Sequence, residues 1–179
     1  MKRLFIAVDF NSSVIEQIQN ISYGVKNARW MPADQIHLTL RFIGDCDEER
    51  FTKILSVLQQ IECRTFCIDL KGVGYFPPRG KPNVLWVGIK ESLELRSLFN
   101  TIQHTLYKAG IPREGRKFHP HITVARIKNR IKSSDVIPFL TQNSLFQVEQ
   151  IPVIRFHLYS SALKPTGAVH TIEETYHLL

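Results

Sequence analysis

The sequence has no long apolar run, few cysteines and a shortage of acidic residues, and each lack removes a class of protein. The longest uninterrupted apolar stretches, Leu4 to Val8 and Val84 to Ile89, span about five or six residues, whereas a membrane-crossing helix needs about 20. Cys46, Cys63 and Cys67 are odd in number and form no CxxC pair, which argues against a disulfide framework or a four-ligand zinc site. Free thiols fit a reducing cytoplasm. Nine glycines and nine prolines among 179 residues, with 44% hydrophobic and 22% charged residues, exclude a collagen-like, disordered or low-complexity chain. The opening Met-Lys-Arg precedes a short apolar run that Asp9 interrupts. No small-residue cleavage site follows, so the segment reads as a first strand and not as a secretory leader.

Positive charge is in excess. Twenty-three Lys and Arg stand against 16 Asp and Glu, a net charge of +7 that favours an anionic partner. Arg113, Arg116, Lys117, Arg126, Lys128, Arg130 and Lys132 lie within twenty residues and face one carboxylate, Glu114. This segment is either a solvated basic face or a funnel for a phosphorylated ligand. Inside it stands His119-Pro120-His121-Ile122-Thr123-Val124.

Hydrophobic periodicity sets the organisation. Residues 3–10 read as a buried strand, and Ser13 with Glu16 has capping-box spacing before a helix over 13–26. Period-two alternation returns over 36–43, and Asp45 and Glu48 mark a helix whose inner stripe is Phe51, Ile54, Leu55 and Leu58. Strands at 67–73 and 84–89 flank a Pro- and Gly-rich turn, and a helix over 92–109 closes at Gly110. A strand over 118–127 follows, then a short helix over 134–140 if Pro138 lies in its first turn, then strands that include 154–160 and 171–178. Several links between strands are too short for a helical crossover, so antiparallel pairing and an α+β class are expected. No linker separates autonomous domains; residues 1–179 read as one unit of two lobes.

Two tetrapeptides match across the chain: His37-Leu38-Thr39-Leu40 and His121-Ile122-Thr123-Val124. In a strand, residues two apart share a face, so each His stands beside its Thr while the aliphatic pair anchors behind. A single HxT is weak, since Thr favours strands and most lone histidines are structural. Two copies in the same phase, one within the densest basic segment, point to a functional pair.

Near neutrality one imidazole can accept a proton while another donates one. Phosphodiester hydrolysis needs both, for the attacking water and for the departing oxygen. Two threonine hydroxyls can donate to nonbridging phosphoryl oxygens, and a guanidinium can add a charge-assisted clamp. This chemistry requires no metal and no cofactor. His119 and His121 form an HxH pair, a spacing that metal hydrolases use, but both HxT flanks are basic or apolar. His119 is therefore read as support for the start of its strand. Phe42, Phe76 and Tyr159 are candidates to stack on a base, with core packing as their commoner fate.

The paired HxT motifs resemble the signature of the 2H phosphoesterases. With RLFIAVDF, ARWMPADQIHLTLRFIGD, KPNVLWVGI, FHPHITVARI and the closing LYSSALKPTGAVHTIEETYHL, the order and spacing resemble the RNA 2′,3′-cyclic phosphodiesterases of the LigT/ThpR type over almost the full length. That resemblance implies a bilobal, pseudo-twofold α+β fold. Largely antiparallel sheets would flank a central cleft, with helices packed outside and one HxT from each lobe. It implies metal-independent opening of a 2′,3′-cyclic phosphate on RNA ends or nucleotides to a 2′-phosphate. His37 would be the proton donor, His121 the acceptor, Thr39 and Thr123 the phosphate contacts, and Arg126 a phosphate-binding arginine. Arg126 lies at an odd offset from His121, so a bulge after Thr123 is needed to bring it to the same face. Arg41 shares the alternation phase of His37 and Thr39 and is a secondary phosphate candidate, with an exposed surface residue as the equal alternative. A non-catalytic RNA-end binding module is the alternative, and 2′,5′ joining of RNA ends, the reverse reaction, is read as a side activity.

Overall fold

The computed structural model describes residues 1–128, 131–165 and 167–179; Arg130 of the basic segment lies outside the described residues. The chain runs β1 (Lys2–Val8), α1 (Ser12–Asn20), β2 (Ala28–Trp30), β3 (Leu38–Cys46), α2 (Glu48–Leu58), β4 (Phe66–Phe76), β5 (Val84–Ile89) and α3 (Leu93–Lys108). It continues through β6 (His121–Ile127), α4 (Ile137–Gln142), β7 (Gln147–Val153), β8 (Arg155–Lys164) and β9 (Gly167–His177). Short 3₁₀ turns at Ala33–Gln35 and Ser133–Val136 precede β3 and α4.

Side-chain caps explain where the helices begin. The carboxylate of Asp47 accepts from Arg50 N at 2.8 Å, and Ser92 Oγ accepts from Leu95 N at 3.1 Å. At α1 the cap is Asn11, whose side chain accepts from Val14 N at 3.0 Å, and not the Ser13–Glu16 box. This helix also stops at Asn20, short of the expected residue 26. The chain then turns through Gly24 at φ +85°, so Val25 is buried from a loop. Pro138 lies in the first turn of α4, where its missing N–H costs nothing. β6 begins at His121, three residues later than the periodicity predicts, because Pro120 cannot donate to a ladder. The three-residue strand β2 is too short for its period to register in the sequence.

All strand pairs are antiparallel, in one nine-stranded sheet of order β7-β4-β5-β6-β3-β1-β8-β9, with β2 on the far end of β6. The expected flanking sheets are therefore two halves of one surface, β7-β4-β5-β6 and β3-β1-β8-β9. Among the described residues the halves meet at a single strand-register pair, Leu38↔Ile122. Both residues are fully buried. Helices brace this narrow joint: α3 touches β3 of the opposite half, and α1 touches β7. The core is continuous from Leu4 and Ile6 through Leu38, Ile122, Leu98 and Ile102 to Phe156 and Leu158. Among the described residues no helix is long and apolar enough to cross a membrane.

Candidate active site

The joint between the halves carries both tetrapeptides. Leu38 and Ile122 are the middle residues of the two HxT segments, and their antiparallel pairing sets His37 beside Thr123 and Thr39 beside His121. Strand alternation then turns all four polar side chains to one face. Each of the four is partly exposed.

The next residue of each strand changes the phase. Adjacent Leu85 and Trp86 of β5 face Ala125 and Thr123 of β6, which leaves Val124 as an extra residue. Consecutive Val124 and Ala125 are both buried, and Arg126 emerges on the histidine face. This is the bulge that the odd offset requires, and the positive charge of Arg126 acts on His37, His121 and a third histidine, His170.

An equivalent bulge stands in β3. Ile6 and Ala7 of β1 face Arg41 and Thr39, with Leu40 extra. Here it overturns the expectation for Arg41, which simple alternation puts beside His37 and Thr39. Arg41 is turned to the helix side and is 6% exposed. Its Nη2 donates to the Pro112 carbonyl, and its Nη1 lies 3.3 Å from Glu114 Oε2. Phe42 takes the cleft position that Arg126 has in the other half. It is 55% exposed, with its ring 5.9 Å from Phe5.

Aromatic rings pave the site. Phe5 of β1 is buried and touches His37 at 5.1 Å, Tyr159 at 5.0 Å and His170 at 4.9 Å. Tyr159 lies 6.2 Å from His37, and Phe76 meets His121 edge-on at 5.0 Å. Of the three candidate stacking residues, Phe42 is the open one; Phe76 and Tyr159 pack against the histidines. His170 is the residue that sequence reasoning passed over. A lone His on a late strand carries no motif, and only the return of β9 to this half of the sheet brings it within 5.6 Å of His37.

Both motif histidines bond to the backbone two residues before them. His121 Nδ1 lies 2.7 Å from the His119 carbonyl, and His37 bonds to the Gln35 backbone. His119 thus serves through its main chain, with its side chain exposed. The bond assigns the His121 proton to Nδ1 and leaves Nε2 as an acceptor. Burial, then His170, Arg126 and His121, push His37 down to about 4 despite the Gln35 bond. Burial and the neighbouring His119 and Arg126 also lower His121. The free site therefore holds neutral imidazoles beside one fixed guanidinium, an arrangement suited to an anion. Of the remaining basic segment, Arg116 pairs with Glu114 at 3.1 Å and Arg113 lies over Tyr107 at 4.7 Å. Among the described residues, no three His, Cys, Asp or Glu side chains cluster as metal ligands.

Comparison with known proteins accords with this geometry. The family model described as LigT like Phosphoesterase matches twice in tandem, over residues 8–86 and 87–170. An RNA 2′,3′-cyclic phosphodiesterase of Archaeoglobus fulgidus is 34% identical over 94% of this chain and 96% of its own length. One from Thermotoga maritima is 33% identical over 95% and 92%. A solved structure from Thermus thermophilus superposes with a TM-score of 0.79 at 29% identity, covering 98% of this chain and 97% of that one.

Proposed function

The chain belongs to the LigT-like phosphoesterases, and from that premise we propose that it is an RNA 2′,3′-cyclic phosphodiesterase working by two-histidine acid–base catalysis. His121 Nε2 takes a proton from water as the water oxygen attacks phosphorus. The bond from phosphorus to the 3′ oxygen breaks, and His37 gives that oxygen its proton. The products are a 2′-phosphomonoester and a free 3′ hydroxyl. His121 is left charged and His37 neutral, and exchange with solvent resets the pair.

What supports this reading is the Leu38↔Ile122 pairing, which joins the two strand segments that carry the two imidazoles and the two hydroxyls. Thr39 and Thr123 donate to the nonbridging oxygens, and Arg126 neutralises the charge that builds there. His37 is neutral in the empty site, so it takes up its proton when the phosphate anion arrives, because a nearby negative charge favours the imidazolium. The two protonation states required are thus reached with protein groups alone, without a metal ion.

The test uses protein stripped with chelator and 2′,3′-cyclic mononucleotides and oligonucleotides. Conversion to 2′-phosphomonoesters is expected, and His37→Ala and His121→Ala should each lower turnover by about 10²–10⁴-fold. Binding without product under single-turnover conditions would instead assign the site to a non-catalytic RNA-end module.

A further inference from the structure

His170 stands in this site with no part in the reaction described above. Two contacts hold its hairpin in place. Gln35 Nε2 donates to the Ala168 carbonyl at 2.7 Å, and the backbone of Gln35 is also the partner of His37. One residue therefore bonds both to His37 and to the strand that carries His170. Gly167, the first residue of β9, has φ +134°, and a Cβ there would lie 2.3 Å from Arg29 Nη2, so β9 begins against the end of the Arg29 side chain. The His170 ring is consequently held edge-on to His37, at 5.6 Å and 87°, and 4.9 Å from Phe5. Among the described residues its buried Nδ1 has no hydrogen-bond partner.

We propose that His170 is a positioning residue that acts through His37: held edge-on against it, it fixes the ring and competes with it for a single proton, a competition that an anionic phosphate relieves. This rests on the reading of His37 as proton donor.

The groups around the pair allow its contribution to be separated. His37 is faced by His170 from β9, by Tyr159 from β8, by His121 and Arg126 from β6, and by the uncharged Phe5 from β1. His170 is itself faced by Arg126, which lowers it, and by Asp34, which raises it. Arg126 acts on all three histidines, and of the titrating imidazoles His170 is held in ring contact with His37. Two imidazoles this close resist double protonation, and the first proton taken up by either depresses the other.

The experiment is a pH titration of the His37 ring by NMR in the wild type, His170→Asn and His170→Phe, with and without inorganic phosphate. Asparagine retains polarity without titrating, and phenylalanine retains the edge-on ring. Both substitutions should raise the His37 midpoint by about one pH unit and shrink the further rise that phosphate produces. The limb of the kcat/KM profile that belongs to His37 should move by the same amount. An unchanged midpoint in both variants, or a phenylalanine variant indistinguishable from wild type, would overturn the proposal. The ring titration does not depend on turnover. If no protein cleaves cyclic phosphate, the reading of the reaction fails, while the His37 midpoints still decide whether His170 governs its charge.

Discussion

The two arginines that follow the HxT segments should behave in opposite ways when each is replaced by methionine, because the bulges send them to opposite faces. Arg41 is buried, donates to the Pro112 carbonyl and pairs with Glu114. A charged hydrogen bond to a buried carbonyl is worth about 1.5–3 kcal/mol, and a partly exposed ion pair about 1 kcal/mol or less. Two details reduce the loss. Glu114 retains Arg116 as a partner, and Arg41 Nε is buried with no partner among the described residues, so its removal relieves a penalty. A net cost of about 1–3 kcal/mol remains for Arg41→Met, which corresponds to a Tm lower by roughly 3–10 °C for a chain of this size. Per folded molecule, kcat/KM should be unchanged.

Arg126→Met should show the reverse. The side chain is exposed, so stability should stay within about 0.5 kcal/mol. Loss of a charge-assisted phosphate contact of about 1.5–3 kcal/mol lowers kcat/KM by roughly 10- to 150-fold. Calorimetry and initial rates on a 2′,3′-cyclic nucleotide measure both quantities. If Arg41→Met slowed turnover as much as Arg126→Met and left Tm alone, the phase change at Leu40 would be wrong as an account of the site.

Three further outcomes are expected. His37 is held near 4 in the fold against about 6.5 unfolded, so between those values the unfolded chain binds more protons. Its contribution, about 3 kcal/mol, is present above pH 6.5 and is lost as the pH falls toward 4. Urea unfolding at pH 7 and pH 4.5 should show that loss in wild type and not in His37→Gln; equal losses in both would refute it. Gly74 leaves room for the Trp86 ring, which a Cβ would meet at 2.2 Å. Trp86 abuts Phe76, which abuts His121. Gly74→Ala should therefore cost about 1–3 kcal/mol and lower kcat through displacement of His121, and a variant with native Tm and rate would contradict the packing chain. Treatment with chelator should leave the rate on cyclic nucleotides unchanged, and its loss with restoration by a divalent ion would overturn the metal-free mechanism.

Much of the site was legible because its information is local. His37, Thr39, His121 and Thr123 declare themselves by repetition, and the aliphatic residues between them declare which face is buried. Arg126 came from the family resemblance; its spacing argued against it unless a bulge was allowed. The same reasoning failed for Arg41, since consecutive buried residues such as Leu40 and Arg41 signal a bulge only when the second is apolar, as Ala125 is after Val124. A buried guanidinium reads in sequence as a surface residue. His170 and Phe5 reach the site through β9 and β1, and that placement depends on the order of strands in the sheet, which residue spacing does not encode. The error at α1 has a simpler origin: two competing caps, Asn11 and Ser13, stand within a single turn.

A pocket built on a twofold axis is indifferent to which way round its guest enters, and a five-membered cyclic phosphate offers the enzyme two bonds of nearly equal chemistry to break. Regiochemistry must then come from whatever the axis fails to repeat. Across the Leu38↔Ile122 joint the mate of the Arg126 guanidinium is the Phe42 ring, and the ring edge-on to His37 is an imidazole, His170, whereas the ring edge-on to His121 is a phenyl, Phe76. A ligand seated backwards would present its anionic oxygens to hydrocarbon. On the proposed reaction, the departures from duplication between the halves, more than the duplicated motifs themselves, set which end of the ribose retains the phosphate.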